Sequence, residues 1–321
     1  MTVDTTGAER GFLITQTQLA ERCRMVSMGA AILLIFVGGV ALIGWAADAA
    51  LPNTTWHSLV AMRANTAIAF IITGLSLLLL RQKWSRRIMF SAAASILAFF
   101  VMALGLLTLM EYLFNLHLGI DQLLFKDISG SVPAPYGTRM PPMPALNFFM
   151  LGICLLSLQS PRGFSIAQWL VMLPLGLSTL ALAGYLLGAH QANSTTTLLS
   201  GIALTPILAF LLAGIGIFLS RPEWGIASHF SSDGADGVLV RYFIPAIFVS
   251  GIIIGIIVHY LHEMGFYDHG FEIAFFVVMV IGTLAIMILV IAKYLNSINE
   301  LRAEAEIRNG IADNAIMAAN A

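Results

Sequence analysis

Between Arg162 and Arg221 the sequence carries no charged residue at all. No soluble domain has an interior that continuous, and the interval is also too long for one membrane crossing. A spanning helix needs about 20 mostly apolar residues. The interval breaks at a polar stretch, His190 to Thr197, and so reads as two spans. Further charge-free runs cover residues 25–47, 64–80, 88–110, 140–161, 242–262 and 273–292. The expected fold class is therefore all-α: a polytopic membrane protein with eight transmembrane helices. The spans are placed near 25–47, 62–80, 88–110, 143–160, 167–188, 200–220, 242–262 and 271–292.

Composition agrees. Hydrophobic residues make up 59% of the 321 positions and charged residues 10%, against about 25% charged in soluble domains. A net charge of -1 offers no basic stripe for nucleic acid. The two cysteines, Cys23 and Cys154, allow neither a disulfide framework nor a metal-binding cysteine motif. Basic residues set the orientation. With the N-terminus inside, the inner side holds 13 Lys and Arg and the outer side only Arg63, Lys126 and Arg139. That asymmetry predicts a multi-pass membrane protein with both termini cytoplasmic. Residues 1–24 are then a cytoplasmic lead rather than a signal peptide, either a short amphipathic helix or a flexible tail.

The spans are not independent. Phe70, Phe148 and Phe210 align, and Gly74, Gly152 and Gly214 then each fall four residues later. Helix-entry clusters precede them: Met62 to Thr66, Met140 to Pro144, and Thr205-Pro206. Trp45 and Tyr185 stand 25 residues before their Phe, whereas Tyr112 stands 36 before its own, an insertion of 11. This is a two-helix unit used three times, one element that cannot bury its apolar faces alone. A fourth, divergent pair follows. The aligned glycines are expected to let helices approach closely. Pro174 is expected to kink the fifth span, and Pro206 sits in the first turns of the sixth, where proline is tolerated.

The insertion, LHLGIDQLLFKD (116–127), suggests a short helix at the outer interface or a loop-packing segment. Glu111 replaces the glycines (Gly44, Gly184) that precede the aligned aromatic in the other units. It either reaches water or faces the bundle interior beside Tyr112 as a polar or proton-sensitive group. Six of the seven histidines lie on the outer side, and His259 and His262 share a helix face. Clustered imidazoles are metal- and haem-binding chemistry, but their spacing fits no ligand motif, so no metal site is assigned and the cofactor stays unknown. The candidate sensing residues are Glu111, Tyr112, His117, Asp121, His259 and His262. No phosphate loop, nucleophile elbow, HExxH or CxxC occurs, so no catalytic residue is assigned.

Residues 293–321 read as a cytoplasmic signalling helix or linker. Tyr294, Ile298, Leu301 and Ala305 have heptad spacing that suits a two-helix coiled coil, hence a homodimer. An amphipathic helix on the inner membrane face fits equally.

The strings ANTAIAFIITGLSLLLL (64–80), LGIDQLLF (118–125), RMPPMPALNFFMLGICLL (139–156), GVLVRYFIP (237–245) and GFYDHGFEIA (265–274) together resemble the N-terminal multi-span region of bacterial sensor histidine kinases and diguanylate cyclases. Residues 307–321 look like the lead-in to a PAS domain. The resemblance implies a sensory input module, residues 25–292, that signals through its last helix to a cytoplasmic PAS, kinase or cyclase output domain. No such catalytic domain falls within the 321 residues. Met143-Pro144 depart from the Asn65-Thr66 pattern, which puts a shared polar role for that pair in doubt. The runner-up is a small-molecule transporter or channel, which would require polar groups near the span centres.

Overall fold

The computed structural model describes residues 5–50, 62–80, 88–116, 119, 139–186, 203–228, 235–266 and 269–320. Every regular element among them is helical. In chain order these are α1 (Thr5–Ala50), α2 (Ala64–Leu79), α3 (Ile88–Leu113), α4 (Pro142–Ser157), α5 (Pro161–Leu170), α6 (Met172–Leu186), α7 (Leu204–Phe218), α8 (Ala235–Glu263) and α9 (His269–Asn320). The chain forms two compact units, Met1–Ser231 and Ser232–Ala321.

In the first unit α2, α4 and α7 pack against one another as an inner ring. Each is paired with the helix before it in the chain: α1 with α2, α3 with α4, α6 with α7. Each outer helix also touches the inner helix of the neighbouring repeat: α3 on α2, α6 on α4 and α1 on α7. The three repeats therefore close into a ring about an approximate threefold axis.

The aligned phenylalanines lie on that axis. Phe70, Phe148 and Phe210 meet pairwise at centroid distances of 4.8, 4.7 and 4.8 Å with tilts of 58° to 63°. Edge-on contact sets the positive rim of each ring against the negative face of its neighbour. All three are at most 1% exposed.

The inner helices also start in one register. Arg63, Pro141 and Ala203, each seven residues before its Phe, are extended N-caps without a side-chain cap. Their carbonyls accept from Ala67, Ala145 and Ile207. Pro142, Pro144 and Pro206 occupy first-turn positions whose N–H would find no intrahelical partner, so proline costs little there.

Outer and inner helices come together at glycine. A Cβ at Gly38 would lie 2.6 Å from the Ala67 carbonyl oxygen, and one at Gly74 2.6 Å from that of Ala31. In the second repeat a Cβ at Gly105 would stand 2.6 Å from the Ala145 carbonyl oxygen, and one at Gly152 2.5 Å from the Met102 nitrogen. Lipid tails are as apolar as leucine, so such close packing, rather than escape from water, binds helix to helix. The third repeat differs. Ser178 stands where the others have Gly38 and Gly105, and Asn147 donates to its hydroxyl at 3.3 Å.

Pro174 acts as expected. The fifth span breaks into α5 and α6 at Val171, because Pro174 has no N–H for the Leu170 carbonyl. The lead and first span form one helix, α1, rather than a separate tail and span. Likewise α8 begins at Ala235, inside the segment read from sequence as a loop up to Arg241.

The second unit is the hairpin α8–α9. α8 ends in a Schellman cap: Phe266 N–H bonds the Leu261 carbonyl and Gly265 N–H that of His262. Gly265 takes a left-handed φ of 78°, which its missing Cβ permits. α9 runs without interruption for 52 residues.

Five helical stretches are long and apolar enough to cross a membrane: Gln18–Ala47, Ile88–Leu113, Arg162–Leu186, Pro245–Glu263 and Ile273–Ser297. Three apolar helices are shorter, Ala64–Leu79, Pro142–Ser157 and Leu204–Phe218. These are the inner ring. At 15 or 16 residues each extends only about 24 Å.

Candidate functional site: a polar clasp at the base of the insertion

The insertion peculiar to the second repeat leaves from the end of α3 and returns at the start of α4, and both ends are fastened. α3 closes with its own Schellman geometry. Leu116 N–H bonds the Glu111 carbonyl at 3.1 Å, and Asn115 adopts a left-handed φ of 54°. Asparagine is among the few non-glycine residues that enter that region readily.

The stripe Ala94, Ala98, Val101, Gly105, Thr108, Glu111 is buried along α3. It continues the face on which Gly105 meets α4, so Glu111 faces inward. Its side chain is 0% exposed and pairs with Arg139, Nε to Oε2 at 3.4 Å. Arg139 Nη2 also donates to the Leu116 carbonyl at 3.0 Å, and its guanidinium lies 5.2 Å over the Tyr112 ring. Tyr112 in turn donates its hydroxyl to the Met140 carbonyl at 3.0 Å. One cation thus joins the α3 cap, the α3 carboxylate and the α3 aromatic to the entry of α4. A planar guanidinium can stack on a ring and donate to a carbonyl at the same time, which is the geometry Arg139 shows here.

The aromatic in this clasp is the one that aligns across the repeats, and its role recurs. In the first repeat Trp45 Nε1 donates to the Met62 carbonyl at 2.9 Å. Met62 and Met140 stand at the same place, eight residues before the aligned Phe. The aligned aromatic is therefore a latch that ties the end of an outer helix to the entry of its inner partner. In the third repeat Tyr185 has the aromatic position. Ile202, which stands where Met62 and Met140 do, lies outside the described residues.

Of the residues singled out from sequence, the structure brings Glu111 and Tyr112 together, the carboxylate facing inward rather than reaching water. His117 and Asp121 lie outside the described residues. His259 and His262 sit three apart on α8, both half-buried, in the second unit. No group of three or more His, Cys, Asp or Glu able to hold a metal ion occurs among the described residues. Arg139 was not singled out as a site residue. Its signal was present, since it is one of only three basic residues on the expected outer side and Glu111 is the acid that breaks the repeat.

The opposite end of the ring carries a second polar cluster that the sequence did not mark. Gln168 on α5, 1% exposed, donates Nε2 to the carbonyls of Arg221 and Trp224 at 3.3 and 2.8 Å. Its Oε1 accepts from Ala227 N–H at 3.2 Å. Arg221 Nη2 donates to the Leu80 carbonyl at the C-cap of α2, 2.8 Å away, and stacks 5.2 Å over Phe164. Burial first, then the positive charge of Arg24, pushes the Arg221 guanidinium below its ordinary pKa. Arg24 itself is paired with Glu223.

Comparison with protein-family models, curated proteins and solved structures finds no match for this chain. Its own geometry defines a helical membrane protein, with a ring of three hairpin repeats and a separate long-helix hairpin.

Proposed function

We propose that the chain is the membrane-embedded sensory input module of a bacterial signal-transduction protein. In this reading it crosses the inner membrane eight times with both termini in the cytoplasm. It passes its signal through α9 to a cytoplasmic PAS, kinase or cyclase domain. The observation that carries the proposal is α9 itself. Its apolar part, Ile273–Ser297, continues without a break into the polar remainder, which ends at Asn320. The residues beyond Ser297 extend that helix by about 35 Å at 1.5 Å per residue. A rigid rod of this kind can transmit rotation or translation between two packed states. The short inner helices, sheathed by longer outer ones, cross as part of a bundle rather than alone.

The axis of the ring also supports input over transport. It is filled by three mutually packed phenylalanines, apolar where a substrate path along the axis would need polar groups.

The test is a fusion of the chain, continued in frame from Ala321, to a diguanylate cyclase domain in bacterial membranes. Substitutions at Glu111 and Arg139 are expected to change cyclic dinucleotide output at least threefold. Output indifferent to every bundle substitution, together with substrate uptake into proteoliposomes, would sink the input reading in favour of the transporter. Disulfide cross-linking of Cys variants along 294–305 checks the homodimer. It should peak at Tyr294, Ile298, Leu301 and Ala305, and an aperiodic pattern rejects the coiled coil.

A further inference from the structure

Chain connections join the first repeat to the second through residues 81–87 and the second to the third through Leu158–Ser160. No such connection joins the third to the first, so the ring closes there through non-covalent contacts alone. That seam runs between α7 and α1. Ser27 Oγ donates to the Gly216 carbonyl at 2.6 Å. A Cβ at Gly216 would lie 3.0 Å from both Ala30 Cβ and Leu77 Cδ2.

Directly after α7 the chain crosses this seam as Arg221–Ser228. The segment has little regular structure of its own and is held from both sides. From the first repeat come the Arg24–Glu223 pair and the bond of Arg221 to the Leu80 carbonyl. From the third repeat come Phe164, edge-on to Trp224 at 5.9 Å, and the three hydrogen bonds of Gln168. Ala227 is 0% exposed. Gly225 has φ 62°, and a Cβ there would stand 2.3 Å from Gln168 Oε1, so the segment is shaped to fit over this one amide. Beyond it the same chain leads to α8.

We infer that Arg221–Ser228 is a strap that clasps the seam between the third and first repeats and carries any change there into the α8–α9 hairpin, with Gln168 as its positioning residue. The inference rests on the input reading above and names where the signal leaves the ring. If the seam widens, the strap cannot follow both sides. Either the first-repeat contacts or the Gln168 contacts let go. A buried amide that loses its partners bears a desolvation penalty, so half-released positions are disfavoured and the strap has two states. It also lies on the one covalent route from the ring to α8, which continues through residues 229–234.

The experiment is hydrogen–deuterium exchange on the full chain in lipid nanodiscs. Gln168→Leu should speed exchange of the amides of residues 223–228 at least tenfold, while those of α2, α4 and α7 stay within twofold. Ser27→Ala, which weakens the seam, should speed exchange in the first turns of α8 at least threefold in the native background. It should have no such effect in the Gln168→Leu background. An α8 response to Ser27→Ala that persists with Gln168→Leu overturns the relay, as does a strap whose exchange ignores Gln168→Leu. Should Gln168→Leu fail to fold, Gln168→Glu keeps the acceptor for Ala227 and removes both donors. Its carboxylate would face the Arg221 and Trp224 carbonyl oxygens, so exchange over 223–228 should again quicken at least tenfold, and no acceleration overturns the inference. A reporter fusion blind to the bundle would count against the input reading alone and leave this coupling standing.

Discussion

On the packed faces of the first two repeats a helix glycine marks where a neighbouring backbone comes in; in the α8–α9 hairpin it does not. Gly38, Gly74, Gly105 and Gly152 each have a main-chain atom within 2.6 Å of where a Cβ would be, whereas Gly251 and Gly282 have no such neighbour within 4 Å. The aromatic residues divide in the same way. Phe148 is 0% exposed and Phe275 is 38% exposed. The same apolar composition therefore serves two ends. In the ring it specifies one packing through small residues and interlocked rings. In the hairpin it supplies long apolar surfaces with little close packing at glycine.

The largest effect expected from this comparison is at glycine. Gly105→Leu would push side-chain atoms into the α4 backbone, an overpacking cost above the usual ceiling of about 3 kcal/mol, and should leave no folded protein in detergent. Gly251→Leu should shift the unfolding temperature by no more than about 2 °C, a surface-like change. Equal behaviour of the two variants would break the contrast.

Phe148→Ala should lower stability by about 3 kcal/mol, the low end for such truncations because lipid rather than water is the outside solvent. Phe275→Ala should be near neutral in the same denaturation assay. Arg139→Leu strands the Glu111 carboxylate. The expected loss is about 2 kcal/mol, below the range for wholly buried pairs since the Arg139 side chain keeps 16% exposure. Adding Glu111→Gln should restore most of it. A double variant no better than the single would show that Arg139 acts through packing alone. The smallest effect is Tyr112→Phe, which removes the latch to Met140 and should cost about 1 kcal/mol without altering the far-UV spectrum.

Much of the ring could be read in advance, because aromatic, glycine and entry cluster recur at fixed spacing. The alignment of Phe70, Phe148 and Phe210 anticipated a shared role, and that of Trp45 with Tyr112 anticipated what became a repeated latch. Half of the clasp was legible as well. Glu111 stood out as an acid in place of glycine, while Arg139 passed as one more loop cation because its partner lies far back along the chain. Gln168 gave no signal, for its partners are backbone groups between 53 and 59 residues distant, and backbone groups leave no trace in composition.

By itself the sequence determined the helical class, the membrane environment, the three-fold reuse of one hairpin and the break at Pro174. These follow from local properties: apolar length, missing charges, helical spacing and a missing N–H. Only the tertiary structure decided that the repeats close into a ring, that the phenylalanines meet on its axis, and that the seam lies where α1 meets α7. The bond that marks this closure joins residues 189 apart. Such a contact depends on helix surfaces fitting at van der Waals distance, a property of the assembled shape rather than of any segment.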